Sequence, residues 1–170
     1  MRLAVLAAAL AFGASWLPVR YSSSALTAVA RAPDCEEGWN VVENPSPGFD
    51  TLYSIEAIAS DDIWAFGTTI SGVGRALAEH WNGNEWTVVD SVSPGQHGHL
   101  FNASALSSDD VWAVGNFINN TANTQSFISH WDGTEWELVP NPRLGTGDNF
   151  LYAISAASPT DVWAAGGGRS

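Results

Sequence analysis

One unit is written into this chain three times, and a chain that repeats itself about every fifty residues must stack copies of one small structure. The first copy runs Leu52-Tyr53-Ser54-Ile55-Glu56-Ala57-Ile58, then Asp61-Asp62-Ile63-Trp64-Ala65-Phe66-Gly67. The second begins at Leu100-Phe101 and reaches Asp109-Asp110-Val111-Trp112-Ala113-Val114-Gly115. The third begins at Leu151-Tyr152 and reaches Thr160-Asp161-Val162-Trp163-Ala164-Ala165-Gly166. Two further blocks recur around this core. His80-Trp81-Asn82-Gly83-Asn84-Glu85-Trp86 is matched by His130-Trp131-Asp132-Gly133-Thr134-Glu135-Trp136, and Trp39-Asn40-Val41-Val42 is matched after Trp86 and after Trp136. Trp64 and Trp112 are 48 positions apart, Trp112 and Trp163 are 51 apart.

Each unit reads as four short strands. Strand A spans Leu52 to Ala59, strand B Ile63 to Thr68, strand C Ala76 to Trp81 and strand D Glu85 to Val89. Asn82-Gly83 and Asp132-Gly133 tolerate the positive φ of a tight hairpin, and Asp61-Asp62 and Asp109-Asp110 can bond their own backbone in an Asx turn. Strict alternation puts Trp64 and Phe66 on one side of strand B, and sets Tyr53, Ile55 and Ala57 opposite Leu52 and Ile58 on strand A. Both faces are then largely apolar, as a sheet held between other sheets requires.

The pattern Leu-aromatic-x-Ile-x-Ala, Asp-Val-Trp-Ala-Val-Gly, His-Trp-Asp-Gly-Thr-x-Trp resembles a Trp-rich bacterial β-propeller repeat, similar in layout to Kelch and tectonin blades. The resemblance covers Trp39 to Gly166. It implies an all-β fold, an incomplete β-propeller of four-stranded antiparallel blades, and little about function, since propellers host many activities. The expected organisation is an orphan strand D at 39–43, blade one at 52–89, blade two at 100–139 and a half blade at 151–166. That register leaves open faces at both ends, with Ile55 and Ile154 expected on them, and self-association through the open blade edges is expected. Three partial blades fall short of the roughly four to eight that close a ring, so the chain reads as a fragment of a longer propeller.

Ahead of the repeats, Met1-Arg2, the apolar run from Leu3 to Ala14 and Ala28-Val29-Ala30 read as a signal peptide over 1–30, followed by a short linker over 31–38. A secreted, cell-surface or periplasmic location follows, with an uncleaved N-terminal anchor as the alternative. The lone Cys35 cannot staple the domain. It reads as an unpaired thiol or one whose partner lies beyond this chain. Past the leader, four Arg and no Lys face 18 acidic residues. That balance argues against nucleic acid, which needs cations to displace counterions, and against anionic lipid, so no membrane contact is expected beyond the export signal.

The recurring side chains read as structural positions: Trp39, Trp64, Trp81, Trp86, Trp112, Trp131, Trp136 and Trp163 as packing between blades, and Asp62, Asp110 and Asp161 as turn caps. His80 and His130 read as hydrogen-bonding strand residues. His97 and His99 do not recur, share one long D–A loop and are the candidate ligand-binding residues. They lack an evident third ligand for a metal, so no metal and no cofactor are expected. No nucleophile constellation or phosphate-binding loop is present, and the four remaining Arg (Arg31, Arg75, Arg143, Arg169) are scattered. A meander puts the short A–B and C–D turns at one end and the long B–C and D–A loops at the other, where propellers carry binding sites. The expected function is an exported, non-catalytic binding or scaffold module that takes a glycan or protein on its long-loop face. The alternative is the non-catalytic part of an extracellular hydrolase or lyase.

Overall fold

The computed structural model describes residues 40–45, 50–70, 72–143 and 147–169. The leader, the linker with Cys35, and Trp39 lie outside the described residues. Residues 43–170 belong to one unit; of a second unit, residues 4–42, only 40–42 are described, with Val41 and Val42 exposed.

The described chain is ten strands joined as consecutive hairpins. β1 (Asp50–Ala59), β2 (Asp62–Thr69), β3 (Arg75–Trp81) and β4 (Trp86–Val89) form one antiparallel sheet in chain order. β5 (Gln96–Ser107), β6 (Asp110–Ile118), β7 (Thr124–Trp131) and β8 (Trp136–Val139) form a second in the same order. β9 (Asn149–Ser158) and β10 (Asp161–Gly168) form a two-stranded third. The sheets stack in sequence. The first strands β1, β5 and β9 pack side by side, and each sheet fans away from them towards its last strand. This is an incomplete β-propeller: two four-stranded blades and the two inner strands of a third.

The core lies between sheets one and two. Trp64, Phe66, Leu100, Ala103, Val111, Ala113, Phe127 and Trp136 are buried there, with Ile58, Val89, Ala105 and Trp131 packed around them. Trp64 is the knob of the interface. Its ring lies 5.1 Å from Trp131 and 5.5 Å from Trp136, both of the next sheet. The three equivalent knobs differ in cover. Trp64 is 2% exposed under sheet two, Trp112 is half-buried under two strands, and Trp163 on the last sheet is 73% exposed.

Several expectations need correction. Strict alternation fails on the inner strands. β1 carries an extra residue between Leu52 and Ser54 and another between Ala57 and Ala59, and β5 and β9 repeat both irregularities. Leu52 pairs with Gly67 and Ile55 with Ala65. Leu52 therefore joins the side of Ile55, because each bulge resets the period of two. Ile154 is 6% exposed, not on an open last face. It stands in the register of Ile55, so both look towards the preceding sheet, which Ile154 has and Ile55 lacks. Strand ends also shift. Asp62 and Asp110 pair with Ala59 and Ser107 as strand residues, and Gln96 to His99 lie in β5, not in a loop. Residues 40–45 form no strand; a strand D needs a strand C edge to bond to, and none is free beside it among the described residues.

Candidate functional site

The bulges and the recurring glycines are one device. A Cβ on Gly67 would collide with the carbonyl oxygen of Thr51, one on Gly115 with that of His99, and one on Gly166 with that of Phe150. Each carbonyl belongs to the residue two before an extra aromatic: Tyr53, Phe101 and Tyr152. Glycine thus lets the inner strand press onto its neighbour while the bulge redirects the aromatic. The three re-aimed rings meet across the blades. Tyr53 lies 5.2 Å from Phe101, and Phe101 lies 5.6 Å from Tyr152.

Two more rings extend the row. His99 stacks on Phe101 at 5.7 Å and 7°, and Phe150 stacks on Tyr152 at 5.9 Å and 6°. The row stays open to solvent, with Tyr53 45% and Tyr152 55% exposed. It sits towards the start of each inner strand, at the end of the molecule that carries the long loops. Two grooves of about 390 Å³ open at the same end. One runs beside β3 and the loop after β4, past Arg75, Asp90 and Ser93. The other runs between Ser126, Ile128, Asn141, Phe150 and Ala164, so Phe150 borders both groove and row.

His97 and His99 fare differently. His97 is exposed and holds a positive φ of 52° at a bulge in β5. His99 is half-buried, and burial, helped by the nearby charge of His97, pushes its imidazole below the usual histidine range. A neutral His99 joins the row as a flat, weakly polar ring, and its buried Nδ1 has no partner. Among the described residues no group of three or more His, Cys, Asp or Glu side chains is placed to hold a metal.

Asp62 and Asp110 are bonded across the sheet, and among the described residues neither caps its own turn. His80 Nε2 donates to Asp62 Oδ1 at 2.8 Å, and His130 Nε2 to Asp110 Oδ1 at 2.8 Å. The imidazoles lie over the knobs, 4.5 Å from Trp64 and 4.2 Å from Trp112. Trp112 and Trp163 each donate Nε1 to Asp110 and Asp161 at 2.7 Å. Ser108 of the next sheet donates to Asp62 as well. Burial raises the Asp62 pKa, but the bonds from Ser108 and His80 outweigh it and hold the carboxyl below its usual range. Asx capping belongs to the other turn. Asn82 Oδ1 accepts from Asn84 N and Glu85 N, and Asp132 Oδ1 from Thr134 N and Glu135 N. Bonds from Thr134 and Glu135 bring Asp132 down to about 2. The pairs Trp81–Trp86 and Trp131–Trp136 face each other across the C–D hairpins at 5.8 Å.

A buried acid went unread in the sequence. Glu79, 1% exposed in β3, accepts two bonds from Asn44 Nδ2 at 3.2 and 2.9 Å. Burial raises its pKa, the Asn44 bonds oppose this, and the charge of Asp50 adds to it. Its position in the repeat is held by Ser129 in sheet two, so the repeat gave no hint of it.

No protein-family model and no curated protein matches the chain. Among solved structures, one titled "YCF48 bound to D1 peptide" is similar at 17% identity and a TM-score of 0.48, over 66% of this chain and 32% of that one. The chain thus spans about a third of that structure's length.

Proposed function

We propose that this chain is an exported, non-catalytic binding module that takes a glycan or a protein segment at its long-loop end. The observation that carries this is the row Tyr53–Phe101–Tyr152, flanked by His99 and Phe150. A fold that bends three inner strands to gather aromatic rings, and leaves two tyrosines about half exposed, offers flat apolar faces with a polar rim. Sugar rings and the side chains of a protein segment both present the complementary surface. Export rests on the charged start, apolar run and Ala28-Val29-Ala30 of the leader.

The test is a glycan array and a peptide array probed with the chain and with Tyr53→Ala and Tyr152→Ala. Both substitutions fall on exposed side chains, so folding should persist. A ligand bound by the parent and lost by at least tenfold in both variants supports the reading. Binding that both variants keep in full would move the site off the inner strands and refute it.

A further inference from the structure

We infer that Asn44 and Glu79 form a proton-controlled latch, which holds the stretch Glu43-Asn44-Pro45 on the outer face of sheet one while Glu79 is protonated and lets it go as Glu79 ionises. The strand register defines the place. Ile55, Ala65, Glu79 and Val88 stand side by side across β1 to β4, on the face opposite the one that Phe66 and Ala78 turn to sheet two. The two ends of this row, Ile55 and Val88, are exposed, while its middle, Ala65 and Glu79, is buried. Leu77, the next residue along β3 on that face, is buried as well. A cover that hides the middle of a sheet and leaves its flanks in solvent is narrow, a strap and not another sheet. Asn44 lies in that cover, with Nδ2 donating to both carboxyl oxygens of Glu79. Glu43 and Pro45 are exposed on either side of it and Asn44 is half-buried, so its side chain is the one the stretch turns into the sheet. Pro45 restricts Asn44 to extended backbone, which suits a strap.

The surroundings of the carboxyl make the latch depend on the proton. Burial disfavours its charge, and Asp50 of β1 repels that charge, against the bonds from Asn44. In register with Glu79, β2 presents Ala65 and β4 presents Val88, neither of them charged. Glu43 beside Asn44 is a further acid, and Arg75 stands four positions back on β3, exposed to water. Ionised, Glu79 is therefore better served by solvent than by its cover. Protonated, it suits the covered place: one oxygen accepts from Asn44 Nδ2, and the O–H is a donor for the Asn44 carbonyl. The covered state binds the proton more tightly than the open one, so cover is firmest below the ordinary carboxylate range and weakens as pH rises through the raised value. Leu77 and Val88 also line the groove beside β3, so release extends that groove over Glu79. In sheet two Ser129 takes the place of Glu79, so the device belongs to sheet one. It uses no residue of the aromatic row and stands or falls independently of it.

Nuclear magnetic resonance of the full chain, titrated from about pH 4 to about pH 8, tests this. The range starts near the ordinary glutamate value of about 4.3. Two signals are followed: the side-chain amide of Asn44 and the carboxyl carbon of Glu79. The Asn44 amide should hold a bound position in acid and move to that of a solvated asparagine as pH rises. Its midpoint should coincide with that of Glu79 and lie above the ordinary value. Far-ultraviolet circular dichroism should stay constant throughout, which separates release of the strap from unfolding. Glu79→Gln, which cannot ionise, should keep the Asn44 amide in its bound position at every pH. An Asn44 amide that stays put while Glu79 titrates overturns the proposal, as does a Glu79 midpoint at or below the ordinary value. A folded Glu79→Gln chain in which the Asn44 amide still moves, or a loss of the β-sheet signal at the same midpoint, overturns it too. If Glu79→Gln fails to fold, the coincidence of the two midpoints in the parent decides alone.

Discussion

Trp64, Trp112 and Trp163 are chemical replicas in one register, so truncating each in turn measures cover and little else. Trp64→Ala removes a side chain that is 2% exposed. Burying a Trp withdraws about 150–250 Å², or roughly 4–6 kcal/mol at about 25 cal/mol per Å². A denatured chain already hides about 10–40% of such area. The indole nitrogen of Trp64 is buried without a partner, a cost of about 1–3 kcal/mol that the truncation relieves. The expected loss is therefore about 3 kcal/mol, at the low end of the roughly 3–5 seen for buried large aromatics. Trp163→Ala gives up one bond to an exposed Asp161 and should stay within about 0.5 kcal/mol. Trp112→Ala, half covered, should fall between. Urea unfolding followed by far-ultraviolet circular dichroism, at concentrations where the chains are monomers, reads all three, with m held constant as the check on two-state behaviour. Equal losses for Trp64→Ala and Trp163→Ala would refute the stacking order of the sheets.

Two other outcomes follow from the described geometry. Gly115→Ala places a methyl group against the His99 carbonyl and the Phe127 ring and should cost at least about 2 kcal/mol in the same assay, whereas Gly167→Ala meets nothing within 4 Å and should be neutral; equal effects would remove the bulge argument. Glu79 has a raised pKa in the folded chain, so the folded state holds the proton more tightly than the unfolded one, and this contribution is fully present below the unfolded pKa and lost as pH rises through the folded value. Glu79→Gln should therefore match the parent in acid and become the more stable of the two towards neutral pH; a parent that stays ahead at neutral pH would show the carboxylate to be a net stabiliser.

The blades were legible because their signals are local. Asn82-Gly83 and Asp132-Gly133 mark a hairpin wherever they stand, and the Trp-Ala-x-Gly block marks a buried strand. What escaped depends on which residues face each other across strands. The bond from His80 to Asp62 needs the register of β2 on β3, which no single strand encodes, although Asp, Trp and His recur together in both complete units. The aromatic row was hidden for the same reason. Tyr53, Phe101 and Tyr152 look like ordinary alternating strand residues until the close approach at Gly67, Gly115 and Gly166 is seen. The recurrence of Leu-aromatic with a glycine 14 or 15 positions on was the available signal. Glu79 had none, because its environment comes from Asn44 outside the repeat.

The half blade's inner edge has a consequence of its own. Among the described residues β9 has a backbone neighbour on one side only, yet three of its outward amides are occupied. Leu151 N donates to Asn116 Oδ1, Ile154 N to Asn102 Oδ1 and Ala156 N to Ser104 Oγ, at 3.1, 2.9 and 3.0 Å. Those acceptors come from β5 and β6, so the stack supplies with side chains what a fifth strand would supply with carbonyls. An incoming strand finds these three donors already taken. In hydrogen–deuterium exchange these three amides should be retained as long as laddered ones, and replacing Asn102 with Ala should release the Ile154 amide to solvent.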